Sequence, residues 1–281
     1  MKVVTCVNDK GGSCKTTTIF NLASKKALDG YKVLMIDLDS CGVLSRFNDV
    51  DPVDKDDVSI GQLLRPDDES ALIKRPEFKT SDILASIFIV DSFNDYVKKK
   101  YPTLDVAGNL CIIPTNRKGE LIGTERRLSE LKLSPGTVVK ELIEKLDTIG
   151  GDKFDYVFID CPGAMNILTL NALMAANYVI VPFEATKSNV DRFGTVFDMI
   201  GMVNDPKYNP DIKEVCVLPC RTKRRKTERT IIEEIDKEYQ VAGNIKECAD
   251  VTRYDDDHVA VVVAKPYCDA SMAYSEVAEK L

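Results

Sequence analysis

Short apolar runs alternate along the chain with longer segments in which hydrophobic residues recur at helical spacing. The runs lack strict alternation of apolar and polar residues, a pattern typical of strands buried on both faces of a sheet. They are Val3–Val7, Lys32–Ile36, Leu110–Ile113, Tyr156–Ile159, Tyr178–Val181 and Val215–Leu218. Strands that alternate with helices through right-handed crossovers predict an α/β fold, with a doubly wound, mostly parallel sheet and helices on both faces.

Helices are predicted between these strands. The first covers Thr16–Asp29 and ends before Gly30, a residue that readily adopts the left-handed conformation of a helix C-cap. Two more are predicted over Leu168–Ala176 and Arg192–Val203. These helices supply the crossovers that a parallel sheet requires.

The least regular part of the chain lies at about residues 50–107. Two helices are predicted within it, over Ser59–Leu64 and Asp82–Lys100, after an acidic run that we interpret as a solvated loop. The acidic residues are Asp49, Asp51, Asp54, Asp56 and Asp57. Because no internal repeat and no linker rich in Gly, Ser or Pro marks a second domain, we expect one domain over residues 1–281, with a helical elaboration at about 50–107.

Composition fits a soluble globular protein and restricts how the chain can contact nucleic acid. Of the 281 residues, 44% are hydrophobic and 30% are charged, which is close to average usage. The 38 basic residues are outnumbered by 45 acidic ones, giving a net charge of -7. Any contact with nucleic acid must therefore use a local basic patch.

The sequence shows no targeting or membrane segment. Met1 leads directly into the first strand without the features of a signal peptide, and no apolar run approaches the ~20 residues needed to cross a bilayer. The nine cysteines are scattered, with Cys216 and Cys220 the closest pair. We interpret them as small buried residues rather than a metal site, and we expect a cytoplasmic protein with no membrane partner.

A glycine-rich loop that ends in lysine and threonine joins the first strand to the first helix. Such a loop binds phosphates because glycines let backbone N–H groups face the phosphate, while the helix N-terminus adds a favourable dipole. We expect Lys15 to bridge the β- and γ-phosphates, Thr16 to bind Mg²⁺ and Thr17 to reach the α-phosphate. The predicted nucleotide-binding residues of the loop are Lys10, Gly11, Gly12, Ser13, Cys14, Lys15, Thr16 and Thr17.

A second lysine, Lys10, gives the loop the pattern Lys-Gly-Gly-x-x-Lys-Thr. This pattern resembles the signature of the ParA/MinD family of deviant Walker ATPases. The resemblance implies that Lys10 reaches across a dimer interface to the partner's phosphates, so that two ATP molecules lie between two subunits. It also implies that Lys10, Lys15 and Asp39 are catalytic, with Lys10 placing positive charge where it develops in phosphoryl transfer. The family usually has glycine where this chain has Cys14, and a side chain there is expected to narrow the loop.

Two carboxylates, Asp37 and Asp39, end the second predicted strand. Alternation along a strand directs both side chains to the same face. The pair resembles the family's Asp-x-Asp switch, although Ser40-Cys41 stands in place of the usual Pro-Gln. The resemblance implies that Asp39 orients the attacking water, while Asp37 supports the Mg²⁺ shell and Lys15.

The apolar run that ends at Asp160 has the arrangement of a Walker B strand, in which the terminal carboxylate holds Mg²⁺ through water. Gly163, in the turn that follows, is expected to bring backbone near the γ-phosphate and to sense ATP against ADP. Pro219, after the last predicted strand, is also expected at the nucleotide. The family often frames adenine with Ile-Pro-Arg, where this chain has Ile245-Lys246-Glu247. The resemblance covers the chain except for about residues 50–107.

A basic cluster follows the last predicted strand and stands out against the acidic composition. Its members are Arg221, Lys223, Arg224, Arg225, Lys226 and Arg229. The partition ATPases that this chain resembles bind DNA without sequence preference through basic residues in this region, so the cluster is interpreted as a contact surface for the phosphate backbone. The alternative is that the cluster is only the solvated start of a helix, because runs of charged residues usually lie on the protein surface.

Taken together, these motifs are similar to those of ParA-type partition ATPases. The resemblance implies weak intrinsic ATP hydrolysis that a ParB-like partner stimulates, and a homodimer that forms on ATP binding, binds nonspecific DNA and associates with the nucleoid until hydrolysis. One alternative is a MinD-like membrane-cycling ATPase, but that branch ends in a basic amphipathic helix, whereas Ser271–Leu281 carries Glu276, Glu279 and only Lys280 as a late base. Another is an iron–sulfur carrier or a nitrogenase-reductase relative, which needs cysteines near the dimer axis or a C-terminal Cys-x-x-Cys, and neither feature is evident in the sequence.

Overall fold

The computed structural model describes residues 1–51, 57–66, 74–116, 119–131, 135–149, 153–205, 207–209 and 211–281. Within these ranges, seven strands form one sheet. The strands are β1 (Lys2–Cys6), β2 (Val33–Asp37), β3 (Phe88–Ile89), β4 (Leu110–Ile113), β5 (Tyr156–Asp160), β6 (Tyr178–Glu184) and β7 (Glu214–Cys220). Asp54 and Asp56 of the predicted acidic loop lie outside the described residues.

Helices surround this sheet. In chain order they are α1 (Lys15–Leu28), α2 (Val43–Phe47), α3 (Ile60–Leu63), α4 (Thr80–Ala85), α5 (Asp91–Lys100), α6 (Glu120–Ser129), α7 (Val138–Thr148), α8 (Ile167–Ala175), α9 (Lys187–Val190), α10 (Phe193–Val203), α11 (Lys226–Ile235), α12 (Ala249–Asp256), α13 (Val261–Ala264) and α14 (Asp269–Lys280). A short 3₁₀ turn covers Pro135–Thr137. In the part of the chain that the structure describes, no helix is long and apolar enough to span a bilayer.

The strand order across the sheet is β3-β4-β2-β5-β1-β6-β7. Every neighbouring pair is parallel except β3 with β4. This confirms the predicted doubly wound, mostly parallel α/β sheet. Cys6 of β1 and Asp37 of β2 both pair with Asp160 of β5. The carboxyl ends of these three strands therefore meet at one place on the sheet edge, where ligands of open α/β sheets bind.

Alternate side chains of the central strands enter two separate hydrophobic clusters, one on each face of the sheet. In β5, Val157 and Ile159 belong to one cluster, while Tyr156 and Phe158 belong to the other. Helices α7 and α8 contribute to the first cluster, and α1 and α14 contribute to the second. Burial on both faces explains why these strands read as continuous apolar runs.

The first predicted helix is confirmed as α1, with ends shifted by one residue. Asp29 follows its last turn, and Gly30 then adopts φ 94°, the left-handed conformation expected of the residue that ends a helix. The Gly30 N–H donates to the carbonyl of Ala27 at 3.0 Å. This tight end returns the chain directly to β2.

The predicted helix Asp82–Lys100 is wrong, because the structure divides it into α4, β3 and α5. The four residues Ile87–Val90 are all apolar, and Ile and Val favour extended backbone. Phe88 and Ile89 pair antiparallel with Ile112 and Cys111 of β4, and the Val90 N–H donates to the carbonyl of Leu110 at 3.0 Å. The open edge of β4 therefore determines the conformation of this segment.

The shorter predicted helix, Ser59–Leu64, is confirmed as α3. Ser59 is its N-cap and forms a capping box with Gln62, in which each side chain bonds the other residue's backbone N–H. Helix α3 packs on α6, and the Thr124 hydroxyl of α6 donates to the carbonyl of Gly61 at 2.6 Å. The helices touch closely because Gly61 has no side chain.

Substitution of Gly61 tests this contact. A Cβ at Gly61 would lie 2.9 Å from the backbone nitrogen of Leu121 and 3.1 Å from its Cα, so Gly61→Ala should destabilise the protein by about 1–3 kcal/mol through overpacking. Gly123→Ala is the matched control, because Gly123 lies in α6 with open space at its Cβ position. It should be neutral or stabilise by about 0.5–1 kcal/mol. Urea unfolding measures both, and equal stability of the two variants would refute the close packing.

Candidate nucleotide-binding site

The loop between β1 and α1 turns through two left-handed residues. Gly12 adopts φ 73° and Cys14 adopts φ 67°. At Gly11 and Gly12 an added Cβ would meet open space, so the loop presents exposed backbone on that side. Its end runs directly into α1, whose first turn contains no acidic residue. An anion at this end of the helix would experience a favourable dipole.

Lys15 is the first residue of α1, and its side chain lies inside the loop. The residue is buried, with 6% of its surface exposed. Its ammonium donates to the carbonyl of Lys10 at 3.0 Å and to the Ser13 hydroxyl at 3.4 Å. It also approaches the carbonyl of Asn8 at 3.5 Å. These partners are neutral, so the lysine brings a full positive charge to the inside of the loop. Such a group is suited to bind phosphate oxygens.

Asp160, at the end of β5, is completely buried and only half satisfied. Its Oδ2 accepts a hydrogen bond from the Thr16 hydroxyl at 2.7 Å, whereas its Oδ1 has no partner among the described residues. Burial, followed by the neighbouring Asp37, raises the pKa of Asp160 well above its usual value. A buried oxygen without a partner is costly, and it marks the position that a hydrated cation beside Thr16 would satisfy.

Asp37, at the end of β2, is also completely buried but is well hydrogen-bonded. Its Oδ2 accepts from the backbone N–H of Ser45 at 2.9 Å and from its hydroxyl at 2.7 Å, and its Oδ1 accepts from the Asp39 N–H at 3.1 Å. Burial raises its pKa to about 6, although the Ser45 hydrogen bonds oppose the shift. Asp37 therefore fixes the start of α2 next to Asp160.

Asp39 does not lie in β2, which ends at Asp37. The chain leaves the sheet before Asp39, so strand alternation does not determine the direction of this side chain, but after burial the charge of Asp39 still helps to raise the pKa of both Asp37 and Asp160. Asp39 is partly exposed, and its Oδ1 accepts from the Cys41 N–H at 2.9 Å. A turn side chain with access to solvent can move more freely than the buried Asp37.

Lys10 is held within the same chain by Asn189, a residue that the sequence did not single out. Its ammonium donates to Oδ1 of Asn189 at 2.9 Å, and the Asn189 amide donates to the carbonyl of Glu184 at 2.9 Å. Arg192 also donates to the carbonyl of Asp9 at 3.1 Å. The segment around α9 thus fastens the start of the phosphate loop. No local pattern reveals Asn189, because it meets Lys10 only in the folded chain.

A cavity of about 470 Å³ opens beside the loop on the side of Cys14 and Thr17. Asp255 lines it and is 6% exposed, and its Oδ2 accepts from the Thr17 hydroxyl at 3.4 Å while its Oδ1 has no partner among the described residues. Burial raises its pKa to about 7. The other lining residues include Cys220, Arg221, Ile245, Lys246, Glu247 and Tyr274. The volume suits a nucleoside. In the sequence, Asp255 is marked only as the first of three consecutive aspartates, Asp255–Asp257.

Pro219 lies in β7 and pairs with Phe183, and its carbonyl accepts from the Ile245 N–H at 2.8 Å. It is not among the residues that line the cavity, whereas the next residue, Cys220, is. Gly163 lies against the phosphate loop, since a Cβ there would be 3.0 Å from the nitrogen of Gly11. The structure therefore brings Gly163 to the phosphate loop itself and Pro219 to the strand behind the cavity.

The basic cluster divides into two groups. Arg221 approaches Glu184 at 3.4 Å and Lys223 approaches Glu247 at 3.0 Å, and Arg221 also lines the cavity. The remaining residues are exposed and form no ion pair within the described part of the chain. They are Arg224, Arg225, Lys226 and Arg229. Arg225 caps α11 and Lys226 starts it, so cations stand at the positive end of a helix dipole, an arrangement that costs stability.

Comparison with known proteins agrees with this geometry. A family model described as an AAA domain matches residues 1–214. The chain is 29% identical to a putative replication protein A of Sinorhizobium fredii over 208 residues, covering 73% of this chain and 45% of that protein. It is 31% identical to the chromosome partitioning protein ParA of Caulobacter vibrioides over 187 residues, covering 66% of this chain and 56% of that protein. The chain thus spans about half the length of these two relatives.

Among solved structures, the chain is similar to cobyrinic acid a,c-diamide synthase from Mycobacterium smegmatis with bound ATP analog and magnesium. The TM-score is 0.70 and the identity 25%, covering 99% of this chain and 93% of that one.

A substitution at Gly163 tests the close approach to the phosphate loop. Its Cβ would lie 3.0 Å from the nitrogen of Gly11 and 3.2 Å from its Cα, so Gly163→Ala should displace the loop and weaken ATP binding by about tenfold. Gly194→Ala in α10, where the added Cβ meets open space, is the control. Calorimetric titration with ATP measures both. Unchanged ATP affinity in Gly163→Ala would show that the phosphate loop accommodates the added methyl group without moving.

The buried carboxylate of Asp160, of which only Oδ1 lacks a partner among the described residues, predicts a stability effect with a definite sign. An acid whose pKa is higher in the folded than in the unfolded chain opposes folding when it ionises, so stability falls as pH rises through this range. At neutral pH and in the presence of a chelator, Asp160→Asn should therefore melt at a higher temperature than wild type. The difference between the two melting temperatures should narrow as pH falls. The rise in melting temperature that Mg²⁺–ATP causes should be smaller in the variant. If Asp160→Asn melts at a lower temperature than wild type at neutral pH, the ionised Asp160 carboxylate does not destabilise the folded protein.

Proposed function

The chain belongs to the AAA domain family that matches residues 1–214, and on this basis we propose that it is a ParA-type partition ATPase. In this proposal, ATP drives formation of a homodimer that binds nonspecific DNA, and hydrolysis stimulated by a ParB-like partner releases the DNA. The observation that carries the nucleotide part is the half-satisfied, buried Asp160 bonded to Thr16 beside the lysine of a phosphate loop. The similarity to a chromosome partitioning protein supports the partition part.

ATP and Mg²⁺ fit the residues present. The cavity beside Thr17 would take the nucleoside, and the loop Lys10–Thr17 would take the phosphates, with Lys15 as the buried cation. No group of three or more His, Cys, Asp or Glu that could hold a metal is found among the described residues. Mg²⁺ would instead be held by Thr16 and nucleotide oxygens, with Asp160 and Asp37 acting through water, as is usual for this ion. When bound, it would neutralise phosphate charge during transfer.

Asp39 and Lys10 would complete the chemistry. Asp39 lies in the β2–α2 turn with partial access to solvent, where a carboxylate can orient an attacking water. Lys10 rests on Asn189 of its own subunit, a single hydrogen bond that a stronger phosphate contact in a dimer would replace. Slow hydrolysis by the isolated protein follows if Lys10 is in place only in the dimer. A partner that stabilises this arrangement would then accelerate hydrolysis.

The exposed cations at the start of α11 would form the DNA surface. Arg224, Arg225, Lys226 and Arg229 stand where the helix dipole disfavours positive charge, and phosphates would offset that cost. Arg221 and Lys223 are engaged by acidic side chains and would contribute less. A dimer presents two such surfaces, which raises their effective concentration for one duplex. The ATP-bound protein would then associate with the nucleoid, within the cytoplasm.

A MinD-like membrane cycle is less well supported. Helix α14 buries Ala270, Tyr274, Val277 and Ala278 in the hydrophobic cluster that it shares with α1. These four residues therefore stabilise the domain, and Met272 is the one large apolar residue that α14 exposes. An interfacial helix needs an exposed apolar face.

The two lysines should differ in what their removal abolishes. Lys15→Ala should weaken ATP binding by at least about tenfold, because the phosphates lose a buried charged partner. Lys10→Ala should bind ATP with wild-type affinity yet lose dimer-dependent hydrolysis by roughly a thousandfold, the range found for cations supplied in trans. Calorimetry and phosphate release measure the two properties. Equal loss of binding in both variants would remove the reason to treat Lys10 as acting across an interface.

The DNA surface is tested by reversing two charges. Replacing Arg224 and Arg225 with Glu should weaken ATP-dependent binding to unrelated duplexes and lower the slope of log affinity against log salt by up to about four, since a dimer loses four phosphate contacts of about 0.9 each. The control carries the same change at Lys98 and Lys99, exposed residues of α5. ATP hydrolysis without DNA should survive in both. If the salt slope of the first variant stays at the wild-type value, the cluster is only a solvated surface.

A further inference from the structure

Cys14 occupies a backbone position that favours glycine. Its φ of 67° and ψ of 18° lie in the left-handed region, which residues other than glycine and asparagine rarely adopt. The residue is the N-cap of α1, but its side chain makes no capping hydrogen bond. The thiol is therefore not required for the local structure of the helix start, and its contacts lie elsewhere.

The thiol of Cys14 faces the nucleoside cavity described above. Cys14 lines this cavity of about 470 Å³ together with Thr17 and Asp255, and it is 8% exposed. Cys220, at the end of β7, lines the same cavity but is only 1% exposed, and its thiol donates to the carbonyl of Leu218 at 3.4 Å. Cys14 is therefore more accessible from the cavity than Cys220, while Cys248 also lines the cavity and is partly exposed.

A second observation shows that the cavity is built to hold a polar ligand. Asp255 is 6% exposed and lines the same cavity, and its Oδ1 is buried without a partner among the described residues. Buried polar atoms of this kind are rare unless a ligand or water satisfies them. Because Cys14 and Asp255 share one cavity, a group attached to Cys14 and a ligand bound to Asp255 would compete for the same space.

We propose that Cys14 is a covalent modification site inside the nucleotide cavity, where a small disulfide attaches to the thiol and excludes the nucleotide. The inference rests on the proposed function only in naming the nucleotide as the competing ligand. In the exchange, the sulfur of Cys14 attacks one sulfur of the disulfide, the S–S bond of the reagent breaks, and a new S–S bond joins one half to Cys14. The other half leaves as a thiol and takes the proton from Cys14. A reducing thiol reverses the exchange.

The aromatic disulfide dithionitrobenzoate is the probe, and Cys14→Ser is the matched variant because it changes only sulfur to oxygen. Peptide mapping by mass spectrometry follows each cysteine over time, with Cys268, which does not line the cavity, as the internal reference. Cys14 should react in the ligand-free protein. At a Mg²⁺–ATP concentration about 100 times Kd, its reaction should slow roughly 100-fold, since only the empty fraction reacts, while Cys268 keeps its rate.

ATP affinity then distinguishes the site from other cysteines. Treated wild type should lose at least about tenfold in ATP affinity and recover it on reduction, whereas Cys14→Ser should show the same ATP affinity before and after the treatment, whatever that affinity is. Cys14→Gly, which suits the left-handed backbone, should behave like Cys14→Ser.

Three outcomes would overturn the inference. They are an unreactive Cys14, a reaction that nucleotide does not slow, and equal loss of ATP affinity in wild type and Cys14→Ser. Untreated wild type that binds no ATP would instead overturn the proposed function, and competition with the nucleotide would fall with it.

Discussion

The structure depends on a group of charged residues that is buried where three parallel strands end. Asp37 and Asp160 are completely buried and Lys15 nearly so, and burial disfavours the charged form of each carboxylate. Protein groups satisfy Asp37, but one oxygen of Asp160 is left without a partner among the described residues. The folded protein thus carries an electrostatic cost that a magnesium-bound nucleotide would offset, which is the exchange of stability for function expected of a binding site.

The surrounding elements hold Asp37, Asp160 and Lys15 in place at the carboxyl ends of the strands. Parallel pairing sets Asp37 and Asp160 side by side, and Ser45 at the start of α2 holds Asp37 still. Gly163 allows the turn after β5 to touch the phosphate loop, while Asn189 fastens Lys10 on the other side. The partners of the site therefore come from five separate parts of the chain. In the proposed dimer, Lys10 would have to leave Asn189 before it could reach the nucleotide of a second subunit.

Local patterns were sufficient for the central sheet and for the phosphate loop. The central strands are continuous apolar runs and the loop has a compact motif, so the sequence alone predicted Lys15, Thr16 and Asp160 at one edge. It failed where distant contacts decide the conformation. The edge strand Phe88–Ile89 exists because β4 offers an open edge, and Asn189 and Asp255 meet Lys10 and Thr17 across separations of 179 and 238 residues. Strand alternation could not place Asp39, because β2 ends at Asp37.

If the buried carboxylates Asp37 and Asp160 bind Mg²⁺–ATP, binding should release protons, and proton release is therefore the most direct measurement. Calorimetric titration of preformed Mg²⁺–ATP, repeated at neutral pH in buffers of different ionisation enthalpy, gives the number of protons exchanged. Because burial raises the pKa of Asp160 and cation binding favours its ionised form, wild type should release protons and Asp160→Asn should release fewer. Binding without net proton release, or equal release by the two proteins at saturation, would contradict the account.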